Sequence, residues 1–262
     1  MIKDNKWTHF KIHFLSSLAG FPAYFLAHPW FALRLIAIRM RYYFTEKLRG
    51  ATLTPDQFLI ESPEDVYYYW GFFIEREMLD REWVSALKAA ADPVVIDVGA
   101  NAGLFAHRIW TLNPRTKLIV FEPLPKMAKK IARWGETTGA RLTLHSKAVS
   151  DRVGTSSYYA LSENDVTASL KSEGAHRLKF EVPVVTLDSV VSEMEILMIK
   201  IDVEGVECEV LAGARQTLQR ARFLTVEAHT PEALARIKAQ LTPEWRCRQT
   251  GMSDYLFMRS SN

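Results

Sequence analysis

Thiols are scarce in this chain: among 262 residues there are two cysteines, Cys208 and Cys247, at no C-x-x-C spacing. That argues against a disulfide framework or a cysteine-based zinc site and for a reducing compartment. Two phosphate-binding signatures are missing as well. No G-x-G-x-x-G occurs, and no Gly-Lys-Ser/Thr completes a P-loop, so the ligand does not read as a polyphosphate. No Asn/Asp-Pro-Pro-Tyr stretch for handling a flipped base is present, which counts against chemistry on a nucleic-acid base. Internal repeats and low-complexity tracts are also absent. With 48% hydrophobic and 24% charged residues, the composition is that of a globular chain with a sizeable core.

Acidic residues are nearly missing from the first fifty positions. Lys3, Lys6, Lys11, Arg34, Arg39, Arg41, Lys47 and Arg49 face only Asp4 and Glu46, a local charge of +6 on a chain whose net charge is +3. A basic arm on a slightly acidic body implies a separate partner for the arm. From Phe14 to Leu33 there is no charged residue, but Gly20, Pro22, His28 and Pro29 interrupt the run. Three readings stay open. The arm packs on the body or on a second subunit, it lies in a membrane interface, or it is a true span or signal segment. The expected location is cytoplasmic, with peripheral membrane contact or self-association through residues 1–50.

What is present after residue 91 is a regular alternation. Apolar, β-rich runs at Val94–Val98, Lys117–Phe121, Leu142–Val149, Leu197–Ile201 and Phe223–Glu227 alternate with helical patterns at Leu104–Thr111, Lys126–Thr137, Val206–Gln219 and Pro231–Leu241. Strands that are apolar throughout, separated by helices, predict a doubly wound, mostly parallel sheet covered on both faces. The pieces "SSYYAL" and "FEVPVVTL" within about 151–196 predict an inserted β-hairpin or lid, and the C-terminus reads as a final antiparallel hairpin joined at Thr250-Gly251. The expected organisation is an arm (1–50), a helical lead-in (51–91) and an α/β domain (92–262). The aromatics Tyr67–Trp70 in the lead-in read as core more than as a sugar platform.

Ligands of such sheets sit at the carboxyl ends of the strands, and here every strand end carries an acid. The first ends Asp97-Val98-Gly99-Ala100-Asn101-Ala102-Gly103, the second Glu122-Pro123, the third Ser150-Asp151, the fourth Asp202-Val203-Glu204-Gly205, and the fifth Glu227-Ala228-His229. Gly99 lets main chain approach a ligand without a Cβ. Glu122 is placed to accept hydrogen bonds from two ribose hydroxyls, and Asp97 to attract a cationic group. A nucleoside with a cationic tail satisfies both, and S-adenosylmethionine is such a molecule.

In order along the chain, "VIDVGANAG", "VFEPLP", "AVSD", "VPVVTLD" and "IKIDVEGVECEVLAGA" resemble the FkbM family of S-adenosylmethionine-dependent methyltransferases over roughly residues 93–230. The resemblance implies a class I, Rossmann-like methyltransferase fold with a seven-stranded sheet, and methyl transfer to a hydroxyl of a sugar, glycan or related natural product. It implies a cofactor turn of Asp97, Gly99, Ala100, Asn101 and Gly103, with Glu122-Pro123 at the ribose and Ser150 and Asp151 along the adenine. Asp202 and Glu204 would face the methyl group and the acceptor. "TASL", Thr167–Leu170, resembles the family's insertion element. Asp202 is the first candidate for base or substrate orienter, followed by Glu204 and His229. A divalent ion on Asp202 and Glu204 would acidify a hydroxyl, but this spacing does not itself assign one. Nucleic-acid methylation, nicotinamide-dependent redox chemistry and a non-catalytic cofactor-binding module are the rival readings.

Overall fold

A computed structural model of the protein describes residues 28–45, 52–61, 79–160, 178–191 and 193–259, with Leu26, Asp65, Tyr69 and Leu170. The chain divides into two units, residues 1–77 and 78–262. The first contains α1 (Pro29–Thr45) and a two-stranded ribbon of β1 (Thr52–Leu53) and β2 (Leu59–Ile60). Pro29 opens α1 at a position where a missing N–H costs nothing. Tyr69 is buried against Phe58 (ring centroids 6.1 Å) and Phe31 (6.4 Å), and its hydroxyl donates to Asp56 Oδ1 at 2.8 Å. Its neighbours Tyr67, Tyr68 and Trp70 lie outside the described residues. No helix among the described residues is long and apolar enough to cross a membrane.

The second unit opens with α2 (Arg81–Ala89), capped by Asp80, whose carboxylate accepts from Glu82 N. It continues with β3 (Val94–Val98), α3 (Leu104–Leu112), β4 (Lys117–Phe121), α4 (Pro125–Thr138) and β5 (Arg141–His145). Then come β6 (Ala148–Val149), β7 (Gly154–Ala160), β8 (Leu178–Val185), the short α5 (Leu187–Val190) and β9 (Ile196–Ile201). The chain ends with α6 (Glu207–Ala212), α7 (Arg215–Gln219), β10 (Ala221–Glu227), α8 (Pro231–Gln240), β11 (Trp245–Gln249) and β12 (Asp254–Arg259).

Seven strands form one sheet in the order β11-β12-β10-β9-β3-β4-β5, and only β12 runs against its neighbours. The predicted mostly parallel seven-stranded sheet is therefore present, closed by the predicted C-terminal hairpin. From β3 the chain moves outward through β4 and β5; from β9 it moves the other way to β10. The crevice between β3 and β9 is the switch point, where an open sheet leaves room for a ligand. One sheet face is a continuous core: Ile96, Val98, Ile199, Ile201, Leu224 and Val226 pack with Val210, Leu211 and Ile237. Alternation puts Asp97 and Lys200, which are register partners, on the opposite face with α3.

Three expectations change in detail. The predicted strand Leu142–Val149 breaks after His145, where Lys147 N turns back to His145 O, and β6 pairs with β8 instead of continuing the main sheet. With the antiparallel β7–β8 hairpin it forms a separate three-stranded sheet, so the insertion is a small sheet in its own right. Its outer end, including Thr167–Ser169, lies outside the described residues. The predicted helix Val206–Gln219 divides at Gly213, where a Cβ would stand 2.2 Å from the Ser150 carbonyl oxygen. The chain bends there because main chain passes too close for a side chain.

The α7 start is held from α5. Asp188 accepts from Thr217 N (2.8 Å), Thr217 Oγ1 (2.7 Å) and Gln216 N (3.1 Å), and Thr217 is fully buried. Replacing Asp188 by Ala leaves a buried hydroxyl and two helix-end amides without this acceptor. The expected result is a loss of about 1–3 kcal/mol in unfolding free energy, read by urea denaturation.

Candidate functional site

The loops after β3 and β9 meet over the switch point. Gly99 has φ 77°, and a Cβ on it would fall 1.8 Å from the Asp202 carbonyl oxygen, so only glycine permits the approach. Asp202 N in turn donates to Val98 O at 3.1 Å. Asn101 (φ 50°) and Gly103 (φ 82°) complete the turn into α3, and a Cβ on Gly103 would press on Ile131 of α4. Gly99 N and Ala100 N both donate to Phe121 O at 3.1 Å, which fastens the turn to the tip of β4.

Glu122 stands at that tip. Its Oε2 accepts from Asn101 N (2.7 Å) and its Oε1 from Leu124 N (2.8 Å), so one carboxylate braces the cofactor-type turn and the loop through Pro123. Burial pushes its pKa up to about 7, against the pull of those two amides. Each oxygen keeps a lone pair for a further donor. Ser150 and Asp151 follow β6: Ser150 N donates to Val185 O, and its hydroxyl to Asp151 Oδ1 at 3.2 Å.

Asp97, expected to meet a cationic ligand, is 0% exposed and meets a protein cation. Lys200 Nζ lies 3.5 Å from Asp97 Oδ1, 3.1 Å from Asp202 Oδ2 and 3.1 Å from the Gly99 carbonyl, to which it donates. It also lies 5.8 Å from the centre of the Phe105 ring. Burial opposes the charge on Lys200, but Asp202 and Asp97 together raise its pKa above the ordinary lysine value. Burial raises Asp97 more than Lys200 lowers it. For Asp202 the balance reverses: Lys200, with a hydrogen bond from Glu227, holds it below the usual carboxylate range despite burial. The lysine in "MIKID", open from sequence to a salt bridge or a substrate contact, makes the salt bridge.

Beyond Asp202 the site is crowded with acids. Glu204 adopts left-handed backbone (φ 56°) ahead of Gly205, whose N donates to Glu207 Oε1 at 2.8 Å. Glu207, which reads in sequence as part of a solvated face, is buried and secures this turn. No side chain caps α6, so Asp202 is not its cap. His229 Nε2 lies 3.4 Å from Glu204 Oε2 and 3.4 Å from Glu227 Oε2, and is 51% exposed. Glu227 Oε1 accepts from Ser253 Oγ at 2.7 Å. Burial, then the charge of Asp202 and a hydrogen bond to it, push Glu227 up to about 8, so it carries a proton at neutral pH and shares it with Asp202. Glu204 is also raised, by burial and by Asp202. Asp254, the register partner of Glu227 on β12, is raised by burial and by Asp202.

The structure thus gathers Asp97, Gly99, Ala100, Asn101, Gly103, Glu122 and Asp202 into one hydrogen-bonded and ion-paired set, with Glu204 and His229 beside it. Glu227, read from sequence as the acid ending the fifth strand, and Lys200 belong to the same neighbourhood, as do Ser253 and Asp254, which were not singled out from sequence. The signal for Lys200 was a charged residue inside an otherwise apolar strand. Ser253 and Asp254 had none, because only the antiparallel return of β12 brings them to β10. Glu204, Glu227 and His229 offer ligand atoms within 4.8 Å of one another, a donor set with metal-binding chemistry.

Residues 97–248 match the family described as the methyltransferase FkbM domain. The chain is 34% identical over 167 residues to the 2-O-methyltransferase NoeI of Sinorhizobium fredii, a match covering 56% of this chain and 67% of that protein. It is 25% identical over 211 residues to the hexuronic acid methyltransferase AglP of Haloferax volcanii, covering 76% of this chain and 79% of that protein. Among solved structures, the METTL16 methyltransferase domain aligns with 86% of this chain and 91% of its own, at a TM-score of 0.46 and 11% identity.

Lys200 makes a direct test of the architecture possible. Lys200→Met leaves Asp97 buried opposite an apolar group, and the expected destabilisation is about 3–5 kcal/mol by denaturant titration. Adding Asp97→Asn removes the stranded charge, so the double variant should recover a substantial part of the loss. Additive losses would show that the two residues act independently.

Proposed function

The chain belongs to the FkbM methyltransferase family, and from that premise we propose that it methylates a hydroxyl of a sugar or glycan. The enzyme is an S-adenosylmethionine-dependent methyltransferase. The sugar acceptor is supported by the names of its relatives, a 2-O-methyltransferase and a hexuronic acid methyltransferase. The observation that carries the reading is the meeting of a glycine turn, a strand-end carboxylate and a His–Glu cluster around one crevice.

The residues fit the cofactor. Gly99 offers bare main chain, Asn101 and Gly103 hold the turn in left-handed backbone, and Glu122 retains acceptor capacity for a ribose diol. In this reading Asp97 acts from beneath, by holding Lys200, and Ala100, Pro123, Ser150 and Asp151 line the nucleoside side. S-adenosylmethionine supplies a methyl group already activated on a cationic sulfur. The protein then has to align the acceptor oxygen and take its proton.

Proton acceptance falls to His229 in this proposal. Asp202, the first candidate from sequence, is engaged by the Lys200 ammonium and is a weak base for that reason. It serves better as an orienter of the acceptor. His229 stands half-exposed between Glu204 and Glu227, and the Glu204 carboxylate, when ionised, would stabilise the imidazolium it would become. The second reading is a divalent ion on Glu204, Glu227 and His229 that acidifies the hydroxyl. The partner of residues 1–50 is proposed to be separate from this chemistry: an anionic membrane surface or a second copy of the chain.

Glu122→Ala should weaken cofactor binding roughly ten- to a hundredfold by calorimetry, since each charge-assisted hydrogen bond contributes about 1.5–3 kcal/mol. Unchanged affinity in a folded variant would remove Glu122 from the cofactor site.

His229→Ala should lower turnover about 10²–10⁴-fold with little change in cofactor affinity, assayed on a panel of hexuronic acid and other sugar glycosides. A larger loss in Asp202→Asn than in His229→Ala would return the base to Asp202. Activity lost to a chelator and regained with magnesium or manganese would favour the metal-held hydroxyl.

A further inference from the structure

Among the described residues, helix α1 has a buried side and an exposed apolar side. Ala32 and Leu35 are fully buried, and Phe31 and Ile36 partly so. On the opposite side Trp30 is 84% exposed and Leu33 49%, and Ala37 is exposed as well; Leu26, ahead of the helix, is 81% exposed. At about 100° per residue Trp30, Leu33 and Ala37 fall within roughly 60° of one another, a single narrow stripe. Arg34 stands along one border of that stripe, exposed, with its guanidinium donating to Thr52 Oγ1 at 3.4 Å, and no acidic residue occurs between Asp4 and Glu46. Of the seven large hydrophobic side chains exposed among the described residues, Trp30 and Leu33 share this face and Leu26 lies just before the helix, so the patch is not the scatter of single apolar residues normal on a surface.

We infer that this face of α1 docks on the surface of an anionic lipid bilayer, with Trp30 and Leu33 in the headgroup–acyl boundary and the excess basic charge of residues 1–50 drawn to lipid phosphates. This surface is separate from the methyl-transfer site and does not depend on the reading of that site. The chemistry selects lipid over a second copy. Two such faces packed together would oppose arginine to arginine, with no acid on the helix to separate them. A bilayer surface offers apolar depth and anionic oxygen side by side, which is the pair of demands this helix makes. Trp30 suits that boundary because its ring is apolar and its indole N–H remains a donor. The 17-residue helix is about 25 Å long, too short to cross the hydrocarbon core and suited to lie in its plane.

The test uses the full chain and sedimentation with vesicles of phosphatidylcholine alone or of equal parts phosphatidylcholine and phosphatidylglycerol. The wild-type protein should sediment with the anionic vesicles and not with the neutral ones, and added salt should weaken binding. Trp30→Ser with Leu33→Ser should lower the partition coefficient at least about tenfold, and so should Ala37→Glu, which places an acid on the stripe without touching a buried position. Calorimetric binding of S-adenosylhomocysteine, unchanged in both variants, reports that the second unit is intact. Wild-type protein that stays in the supernatant with anionic vesicles overturns the proposal, as does wild-type binding in both variants. A wild-type dimer that Ala37→Glu converts to a monomer, without vesicle binding, identifies a second copy as the occupant and overturns it too.

Discussion

The site is organised around a lysine ammonium buried inside a β-sheet. Lys200 sits on a central strand with apolar residues on both sides in sequence, where an unpaired cation is costly. It is tolerated because three groups from two loops converge on it: Asp97 from beneath, the Gly99 carbonyl, and Asp202 from its own strand end. The same contacts set the spacing of the two loops across the switch point. A requirement of charge compensation in the core thereby becomes positional accuracy at the surface of the crevice. The missing Cβ of Gly99 is part of the same arrangement, since any side chain there would force the Asp202 main chain away.

Lys200 also divides the acids around it by function. Asp202, nearest the ammonium, stays ionised. Farther out, burial and then the charge of Asp202 raise Glu204, Glu227 and Asp254. The result is a gradient across the ends of β9 and β10, from a fixed anion to groups that hold and release protons. An acceptor hydroxyl arriving at the outer end would meet His229 and shared protons; a cationic cofactor centre nearer the turn would meet fixed negative charge. Glu122 stands apart from this gradient, hydrogen-bonded by main-chain amides and braced between the ends of β3 and β4.

Much of this was legible in the chain itself. The apolar runs Val94–Val98, Lys117–Phe121 and Ile196–Ile201 leave no alternative to strands covered on both faces, and the helical patterns between them leave no alternative to parallel crossovers. The strand-end acids and the Gly99–Gly103 turn were readable for the same reason: they interrupt the apolar pattern where backbone must turn or approach a ligand closely. The break after His145 and the division at Gly213 were not readable, because each depends on another segment. One is decided by β8 capturing β6, the other by the Ser150 carbonyl passing Gly213.

Local pattern is a property of neighbours along the chain, so the sequence by itself determined the layered α/β sheet, its likeness to the FkbM methyltransferases and the identity of the acids at each strand end. Which of those acids is ionised, and toward what, is a property of neighbours in space. Only the tertiary structure decided that Asp97 faces Lys200, that Asp202 is held as an anion, that Glu227 shares its proton, and that Ser253 and Asp254 return beside β10. The physical reason is that burial and Coulomb interaction act across distances of a few ångströms between residues as much as about a hundred positions apart, and no periodicity in the chain records them.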